Sequence, residues 1–265
     1  MNRIALDLGF IKIYWYSIFI FLGMITACLI IYRESKRKSI NIDFLINLIF
    51  NTIIFGVIGA RLYYVLFNLE YYLANPVEIL EIWNGGLAIH GGILTGLITI
   101  LIYCNKEKVP PLKILDIIVV GVIIGQAIGR WGNFFNREAY GAITTLENLQ
   151  SQHIPKFIID GMYIIGEYRQ PTFLYESIGC LIGFIILLLI RKNKKIIKGT
   201  ITASYLIIYG IIRFFIESMR SDSLMLGSLK IAQIISLLFI AVGLIIIIIN
   251  IIKQKNLKSY KEKNI

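Results

Sequence analysis

Residues 129–141 read GRWGNFFNREAYG and close an apolar run that begins near residue 113. That run is long enough to cross a bilayer as a helix, which takes about 20 mostly apolar residues. The stretch itself holds two arginines, two asparagines and a glutamate, separated by glycines and aromatic residues. The sequence therefore indicates a membrane helix that leads into a cluster of hydrogen-bonding groups.

The rest of the chain has the composition of an integral membrane protein. Its 265 residues are 57% hydrophobic and only 16% charged, with a mean hydropathy of +0.74, unlike a soluble domain. We expect an all-α fold, a polytopic bundle of about seven transmembrane helices that forms one integral-membrane domain over residues 1–265. The predicted spans are residues 13–32, 43–67, 86–104, 113–131, 171–190, 199–217 and 229–252.

The distribution of basic residues predicts how the bundle is oriented. The net charge of +11 lies in short clusters between the apolar runs, which argues against a nucleic-acid partner. Loops on alternate sides carry seventeen and seven lysines plus arginines. By the positive-inside rule the richer side is cytoplasmic, so the N-terminus is outside and the C-terminus inside. Residues 132–170 then form an extracytoplasmic loop, in which KFIIDGMYIIGEY is a candidate hairpin or interfacial segment.

The N-terminus also resembles a lipoprotein signal peptide, because a basic start and an apolar run lead to ITAC, ending at Cys28. The cluster RESKRK argues against this, since its four positive charges would have to be translocated. We therefore interpret residues 13–32 as a span. Cys28, Cys104 and Cys180 lie in or at the ends of spans without zinc or disulfide spacing, and we expect neither a metal nor a cofactor.

Inside the predicted spans, where a central charge costs about 2.5 to 3.5 kcal/mol, six ionisable side chains stand out. Snorkelling of the arginines to lipid phosphates is the simpler explanation for any one of them. Alternating helix directions, however, put all six in the outer half of the bilayer together with Tyr16 and Tyr175, which favours a common pocket. The six are Arg61, His90, Arg130, Glu176, Arg213 and Glu217.

Helical spacing adds detail at two places. Arg213 and Glu217 are four residues apart, so they share a helix face and can pair. Four polar residues would form a stripe if the helix continued through Gly132, whereas a helix-to-loop transition near that glycine would separate them. The four are Gln126, Arg130, Asn133 and Arg137. The sequence leaves both alternatives open.

His90 lies in GGLAIHGG, between small residues that allow close helix packing or leave room for a ligand. A lone histidine in a membrane span is often a hydrogen-bonded structural group. Within this cluster, however, imidazole is the side chain suited to proton transfer near neutral pH. Both interpretations stay open at this point.

The three predicted guanidiniums suit a phosphate diester, because their planar forks bind phosphate oxygens with two hydrogen bonds. Arg61, Arg130 and Arg213 would lie at the depth of lipid headgroups, so a phospholipid is the expected ligand. A glycine-rich phosphate loop is not present in the sequence.

Six motifs together resemble the prolipoprotein diacylglyceryl transferases and cover nearly the whole chain. They are WY at 15–16, GARLYY at 59–64, GGLAIHGG at 85–92, GRWGNFFNREAYG at 129–141, RQPTFLYES at 169–177 and YGIIRFFIESMRSD at 209–222. The resemblance implies transfer of a diacylglyceryl group from phosphatidylglycerol to the lipobox cysteine of preprolipoprotein signal peptides, with release of glycerol phosphate. This is the first step of lipoprotein maturation and takes place in the bacterial cell membrane.

The resemblance also implies roles for individual residues. Arg130 and Arg213 would bind the phosphate and stabilise the departing glycerol phosphate, and His90 would accept the thiol proton. Glu138 and Glu217 would orient the arginines. The implied substrate-binding set is Tyr16, Arg61, Tyr64, Arg130, Asn133, Asn136, Glu138, Gly141, Tyr209 and Glu217. This chain has Thr172 and Phe173 where the family usually has serine and glutamine.

Two other functions fit a polar cluster of this kind. A lipase-like phosphodiesterase would use the same phosphate site with water as the acceptor. A seven-span receptor or transporter would bind without covalent chemistry. No lysine lies in the interior of a predicted span, which argues against a retinal Schiff base. The lack of an inverted repeat argues against a transporter.

Overall fold

The computed structural model describes residues 3–9, 12–193 and 196–262 and confirms the helical membrane bundle. Seven of its helices are long and apolar enough to cross a membrane. These are Trp15–Arg37, Ile42–Phe67, Ile89–Lys106, Pro111–Asn136, Thr172–Ile190, Thr200–Met219 and Ile231–Gln254. Each coincides with a predicted span, and the ends differ by at most five residues.

Short strands and helices connect the spans and precede the first. In chain order the elements are β1 (Ile4–Asp7), β2 (Lys12–Tyr14), α1 (Trp15–Arg37), α2 (Ile42–Phe67), α3 (Leu69–Ala74), two 3₁₀ helices (Pro76–Leu80 and Ile82–Asn84), α4 (Ile89–Lys106), α5 (Pro111–Asn136), β3 (Ile143–Thr144), α6 (Leu146–Ser151), α7 (Lys156–Gly161), β4 (Tyr163–Ile164), β5 (Glu167–Arg169), α8 (Thr172–Ile190), α9 (Thr200–Met219), β6 (Met225–Leu226), β7 (Leu229–Lys230) and α10 (Ile231–Glu262). The antiparallel pair β1–β2 was not predicted from the sequence.

The chain forms two compact units, and the boundaries between them fall inside α1 and α5. The first unit comprises Met1–Ile31 and Leu115–Ile265, and the second comprises Tyr32–Ile114. The single domain over residues 1–265 stays a prediction.

In the second unit α2 and α4 approach each other through glycines. A Cβ atom on Gly59 would lie 2.1 Å from the Thr95 Oγ1, and one on Gly91 would lie 2.3 Å from the Gly59 carbonyl oxygen. Only residues without a side chain allow this contact, as is common between membrane helices. The glycines of GARLYY and GGLAIHGG are therefore explained by helix packing.

In the first unit α5, α8 and α9 share one apolar core. Its fully buried members include Ile123, Cys180 and Leu187. The Ser177 hydroxyl of α8 donates to the Ala127 carbonyl of α5 at 2.8 Å. Such contacts hold the three helices against one another along their length.

Both ends of α9 are held by charged side chains. At its N-terminus, the buried Asp116 carboxylate of α5 accepts hydrogen bonds from the Gly199 and Thr202 amides at 2.7 and 2.8 Å. A carboxylate here satisfies amides that the helix leaves unpaired. At the C-terminus, Lys230 Nζ donates to the carbonyls of Glu217 and Arg220 at 2.7 and 2.9 Å. The sequence analysis did not count Asp116 among the ionisable groups in the spans.

The segment that follows α5 has a small core of its own. Because α5 continues to Asn136, this segment begins at residue 137 rather than at the predicted residue 132. Strands β4 and β5 form the predicted hairpin, and β3 joins them in the order β3-β5-β4. Phe134, at the end of α5, packs with Phe173 and apolar residues of α6 and α7. The segment is therefore anchored on the ends of α5 and α8.

Candidate functional site

A chain of four charged residues joins three helices in the first unit. Arg130 Nη2 on α5 lies 2.7 Å from Glu176 Oε1 on α8. Arg213 Nη1 on α9 lies 3.3 Å from Glu176 Oε2, and its Nη2 lies 2.6 Å from Glu217 Oε2. The structure therefore brings Arg130 and Arg213 to the same carboxylate, and the expected helical pair Arg213–Glu217 is present.

The carboxylates and the guanidiniums of this cluster differ in exposure. The side chains of Glu176 and Glu217 are only 2% and 3% exposed, whereas those of Arg130 and Arg213 are 22% and 17% exposed. The acidic groups thus lie behind the arginines and compensate their charge inside the protein. A guanidinium has five N–H donors, and these contacts use only some of them. Part of each arginine side chain therefore stays accessible.

A second set of hydrogen bonds extends from Arg130 along the end of α5. Arg130 Nη1 donates to Asn133 Oδ1 at 3.3 Å, and Asn133 Nδ2 donates to Glu138 Oε1 at 2.9 Å. This relay exists because α5 is continuous through Gly132, as in the first of the two alternatives for this stretch. Arg137 lies beyond the helix end with a φ of 54°. Glu138 thus contacts Arg130 indirectly, through the asparagine.

Tyrosines line the cluster on two sides. The Tyr209 hydroxyl donates to Glu176 Oε1 at 3.5 Å, and its ring stacks on Tyr205, which accepts a hydrogen bond from Gln126. Tyr16, at the start of α1, packs on Gly132, where a Cβ atom would lie 3.0 Å from its ring. Asn136 ends α5 and, in the part of the chain that the structure describes, makes no hydrogen bond to the cluster.

Gly141 is close to the cluster residues in sequence. In the structure it lies where three chain segments meet, and its contacts are with their backbones. It forms a bridge with Arg220, and its amide donates to the Gln170 carbonyl at 2.9 Å. A Cβ atom there would lie 2.8 Å from the Cβ of Gln170, so this close approach requires glycine. A contact between Gly141 and substrate stays a prediction.

Arg220 and Asp222 form a two-pronged ion pair just beyond α9, with both N···O distances 2.9 Å. Burial raises the pKa of Asp222, but the hydrogen bonds and the charge of Arg220 outweigh it and hold the pKa below its ordinary value. The aspartate is therefore ionised at neutral pH, and the pair holds the chain that leaves α9.

Arg61 lies in the second unit and has a different environment from the other two arginines. Its guanidinium is buried and donates to backbone carbonyls that include those of Ile79, Gly85 and Gly86, at 2.8 to 3.0 Å. These bonds take most of its donors. The geometry therefore favours a structural role for Arg61, and its contact with a phosphate stays a prediction.

The remaining predicted residues of the second unit are Tyr64 and His90. Tyr64 lines a pocket of about 400 Å³ together with Arg61, Tyr72 and Glu78. His90 is the second residue of α4, and its exposed ring lies 6.3 Å from that of Tyr63. Because the two units are described separately, the meeting of His90 with Arg130 and Arg213 stays a prediction.

Glu176 is the member of the cluster to which the sequence analysis gave no role, although it counted the residue among the ionisable groups. The i, i+4 rule finds partners on the same helix, as it did for Glu217. The partners of Glu176 lie on two other helices, so spacing gives no signal for them. Among the described residues, no group of three or more His, Cys, Asp or Glu side chains has an arrangement suited to a metal ion.

Comparison with known proteins gives one consistent result. The family model described as prolipoprotein diacylglyceryl transferase matches residues 3–249. The phosphatidylglycerol–prolipoprotein diacylglyceryl transferase of Staphylococcus xylosus is 46% identical over 257 residues, which cover 97% of this chain and 92% of the relative. The enzymes of the same name from Staphylococcus saprophyticus and Streptococcus mutans are 47% and 46% identical, with coverage of 96% and 94% of this chain and 91% and 95% of each relative.

The carbonyl contacts of Arg61 generate a stability prediction. Arg61→Lys should destabilise the second unit by about 1 to 3 kcal/mol, because one ammonium leaves several partly buried carbonyls without a donor. Hydrogen exchange should rise selectively in residues 76–86, and the thermal unfolding midpoint of the purified protein should fall. Arg33→Lys, at an exposed position in the same unit, is the control and should change neither. If residues 76–86 are equally protected from hydrogen exchange in Arg61→Lys and Arg33→Lys, the structural role of Arg61 is contradicted.

Proposed function

The chain belongs to the prolipoprotein diacylglyceryl transferase family, and from that premise we propose that the Arg130–Glu176–Arg213–Glu217 cluster is its phospholipid-binding catalytic site. The protein is a multi-pass membrane transferase that acts on phosphatidylglycerol and prolipoprotein. The acceptor is the thiol of the lipobox cysteine in the signal peptide, and the product that leaves is glycerol phosphate. The reaction requires neither a metal nor a cofactor.

The partly exposed side chains of Arg130 and Arg213, which share the Glu176 carboxylate, are the observation that carries this proposal. The phosphate of phosphatidylglycerol has two free oxygens, and each arginine can bind them through paired N–H groups. Glu176 and Glu217 already compensate the charges of the two arginines, so both can stay between the helices before the lipid binds. Asn133 and Tyr209 add hydrogen-bonding groups at the edge of the same surface.

During the reaction, negative charge develops next to these hydrogen-bond donors. The sulfur of the substrate cysteine attacks the CH₂ of the diacylglyceryl group that is bonded to the phosphate. The bond between that carbon and the phosphate oxygen breaks, and the thiol proton passes to the base. Electron density then accumulates on glycerol phosphate, which Arg130 and Arg213 stabilise before it leaves. Each preorganised donor of this kind contributes about 100- to 1,000-fold in rate.

The nucleophile comes from the substrate, and the chain's own thiols fit this assignment. Cys104 and Cys180 are fully buried, and Cys28 is partly buried within α1. The incoming thiol is mostly protonated at neutral pH and needs a base. His90 takes this role, because its ring is exposed at the start of α4 and imidazole exchanges protons near neutral pH.

The site faces the outer leaflet of the bacterial cell membrane, with the N-terminus outside and the C-terminus in the cytoplasm. The support is the distribution of lysine and arginine between alternate loops, seventeen against seven. Residues 137–171, which follow Arg130, then lie outside the membrane, where the lipobox cysteine is presented.

Reconstitution tests the proposed activity. Purified protein in vesicles that contain phosphatidylglycerol and a lipobox peptide should form diacylglyceryl peptide and release glycerol phosphate in equal amounts. Arg130→Lys should lower the rate about 100-fold or more, because an ammonium cannot reproduce the guanidinium fork. Arg33→Lys, at an exposed position outside the cluster, should transfer normally. Glycerol phosphate release without peptide would indicate hydrolysis instead, and near-normal transfer by Arg130→Lys would exclude two-pronged phosphate binding.

A pH profile tests the role of His90. The wild-type transfer rate should rise with pH, because a base must be unprotonated to accept the thiol proton. In His90→Asn this rise should disappear, while binding of phosphatidylglycerol stays within about threefold because the phosphate is held by other residues. If the variant keeps the wild-type profile, His90 serves only to pack against Tyr63.

Cysteine labelling in intact cells tests the orientation. In a Cys28→Ser background, Gln150→Cys in α6 should react with a membrane-impermeant maleimide added outside. Lys108→Cys, between α4 and α5, should react only after the cells are opened. Both positions are exposed in the structure, so accessibility to the reagent depends on the side of the membrane. The reverse labelling pattern would refute the orientation.

A further inference from the structure

We infer that Glu176 is a positioning residue of the transfer reaction, and that its single carboxylate sets the spacing at which Arg130 and Arg213 receive the lipid phosphate. The inference rests on the proposed function and adds a residue from a third helix to it. Glu176 itself does not touch the reacting atoms.

The two oxygens of the Glu176 carboxylate contact different arginines. Oε1 lies 2.7 Å from Arg130 Nη2, and Oε2 lies 3.3 Å from Arg213 Nη1. The two oxygens belong to one rigid planar group, so the distance between them limits how far apart the guanidiniums can be. The ion pair described for the Glu217 carboxylate is the one with Arg213. In the ion pairs of the described chain, Glu176 is thus the residue that links both arginines.

The backbone that carries Glu176 is fixed against both arginine helices. Ser177, the next residue, donates its hydroxyl to the Ala127 carbonyl of α5 at 2.8 Å. One turn further, a Cβ atom on Gly179 would lie 3.1 Å from Ile212 of α9, the neighbour of Arg213. Because α8 has little freedom to shift, the position of its carboxylate determines the positions of the arginines.

A bridge of this kind answers a specific electrostatic problem. Two guanidiniums that bind one phosphate must be close together before the phosphate arrives, and like charges repel strongly where water is excluded. A carboxylate between them removes that repulsion. At 2% exposure Glu176 lies behind the arginines, so the lipid does not compete with it for space. The arginines therefore keep the same spacing before and after the lipid binds.

Two substitutions distinguish this role from simple packing. Glu176→Gln has nearly the same shape but turns one oxygen into a donor that faces a guanidinium. Glu176→Asp keeps the charge but is one methylene shorter and leaves a small void. If Glu176 merely fills space, Gln should be tolerated better than Asp. If it positions the arginines through its charge, Asp should retain more activity than Gln.

The measurement is kcat and KM for phosphatidylglycerol in vesicles with a lipobox peptide, expressed per folded molecule. We expect kcat to fall about 100-fold in Glu176→Gln and about 10-fold in Glu176→Asp, since the loss arises in transition-state stabilisation. Glu176→Gln should cost little more when added to Arg213→Lys, because both changes disrupt the same unit.

Ile185→Ala is the matched control on α8. Ile185 lies on an exposed part of the same helix, 55% exposed and nine residues beyond Glu176, so this variant should leave both the unfolding midpoint and kcat close to wild type, with kcat within about threefold. Wild-type kcat in Glu176→Gln, or better activity in Gln than in Asp, would overturn the inference. If Glu176→Gln does not fold, a normal kcat for Glu176→Asp overturns the inference, and a loss of about 10-fold beside a normal Ile185→Ala supports it. A wild-type protein that transfers nothing would instead refute the proposed function.

Discussion

A charge that is buried among membrane helices must have a counter-charge, and this constraint determines the arrangement of the first unit. Two unit charges 4 Å apart interact by about 4 kcal/mol at an effective dielectric constant of 20, whereas an unpaired charge in a span costs about 2.5 to 3.5 kcal/mol. Arg130 and Arg213 are therefore tolerable only if Glu176 and Glu217 are close. Because three of these residues lie on different helices, α5, α8 and α9 must meet at this point.

The remaining contacts of these helices make that meeting point rigid. Asp116 and Lys230 hold the two ends of α9, while Ser177 fastens α8 to α5. A helix held at both ends does not slide, so the arginine on it stays at one depth. Preorganised donors stabilise a transition state because they need no rearrangement as charge develops. The structural contacts far from the cluster thus hold the arginines in the arrangement that the proposed chemistry requires.

Much of the architecture follows from local features of the sequence, and the rest depends on contacts between distant segments. Apolar run length fixed all seven spans, and i, i+4 spacing gave the Arg213–Glu217 pair. Glu176 is 46 positions from Arg130 and 37 positions from Arg213 along the chain, so no helical periodicity encodes this bridge. The β1–β2 pair was missed because its strands have only three and four residues. The N-terminal cap by Asp116 was missed for the same reason as Glu176, since its partners lie on another helix.

The three arginines show why residue type and depth do not by themselves define a binding site. From the sequence, Arg61, Arg130 and Arg213 are equivalent guanidiniums in the same leaflet. Arg61 donates mainly to backbone carbonyls, which accept hydrogen bonds but carry no full charge, and its donors are consumed in holding the loop after α3. Arg130 and Arg213 face carboxylates, which compensate the charge through a few donors and leave others exposed. An arginine whose charge is compensated by a buried carboxylate can therefore bind a phosphate at its open side, whereas one saturated by carbonyls cannot do so without releasing the chain that it holds.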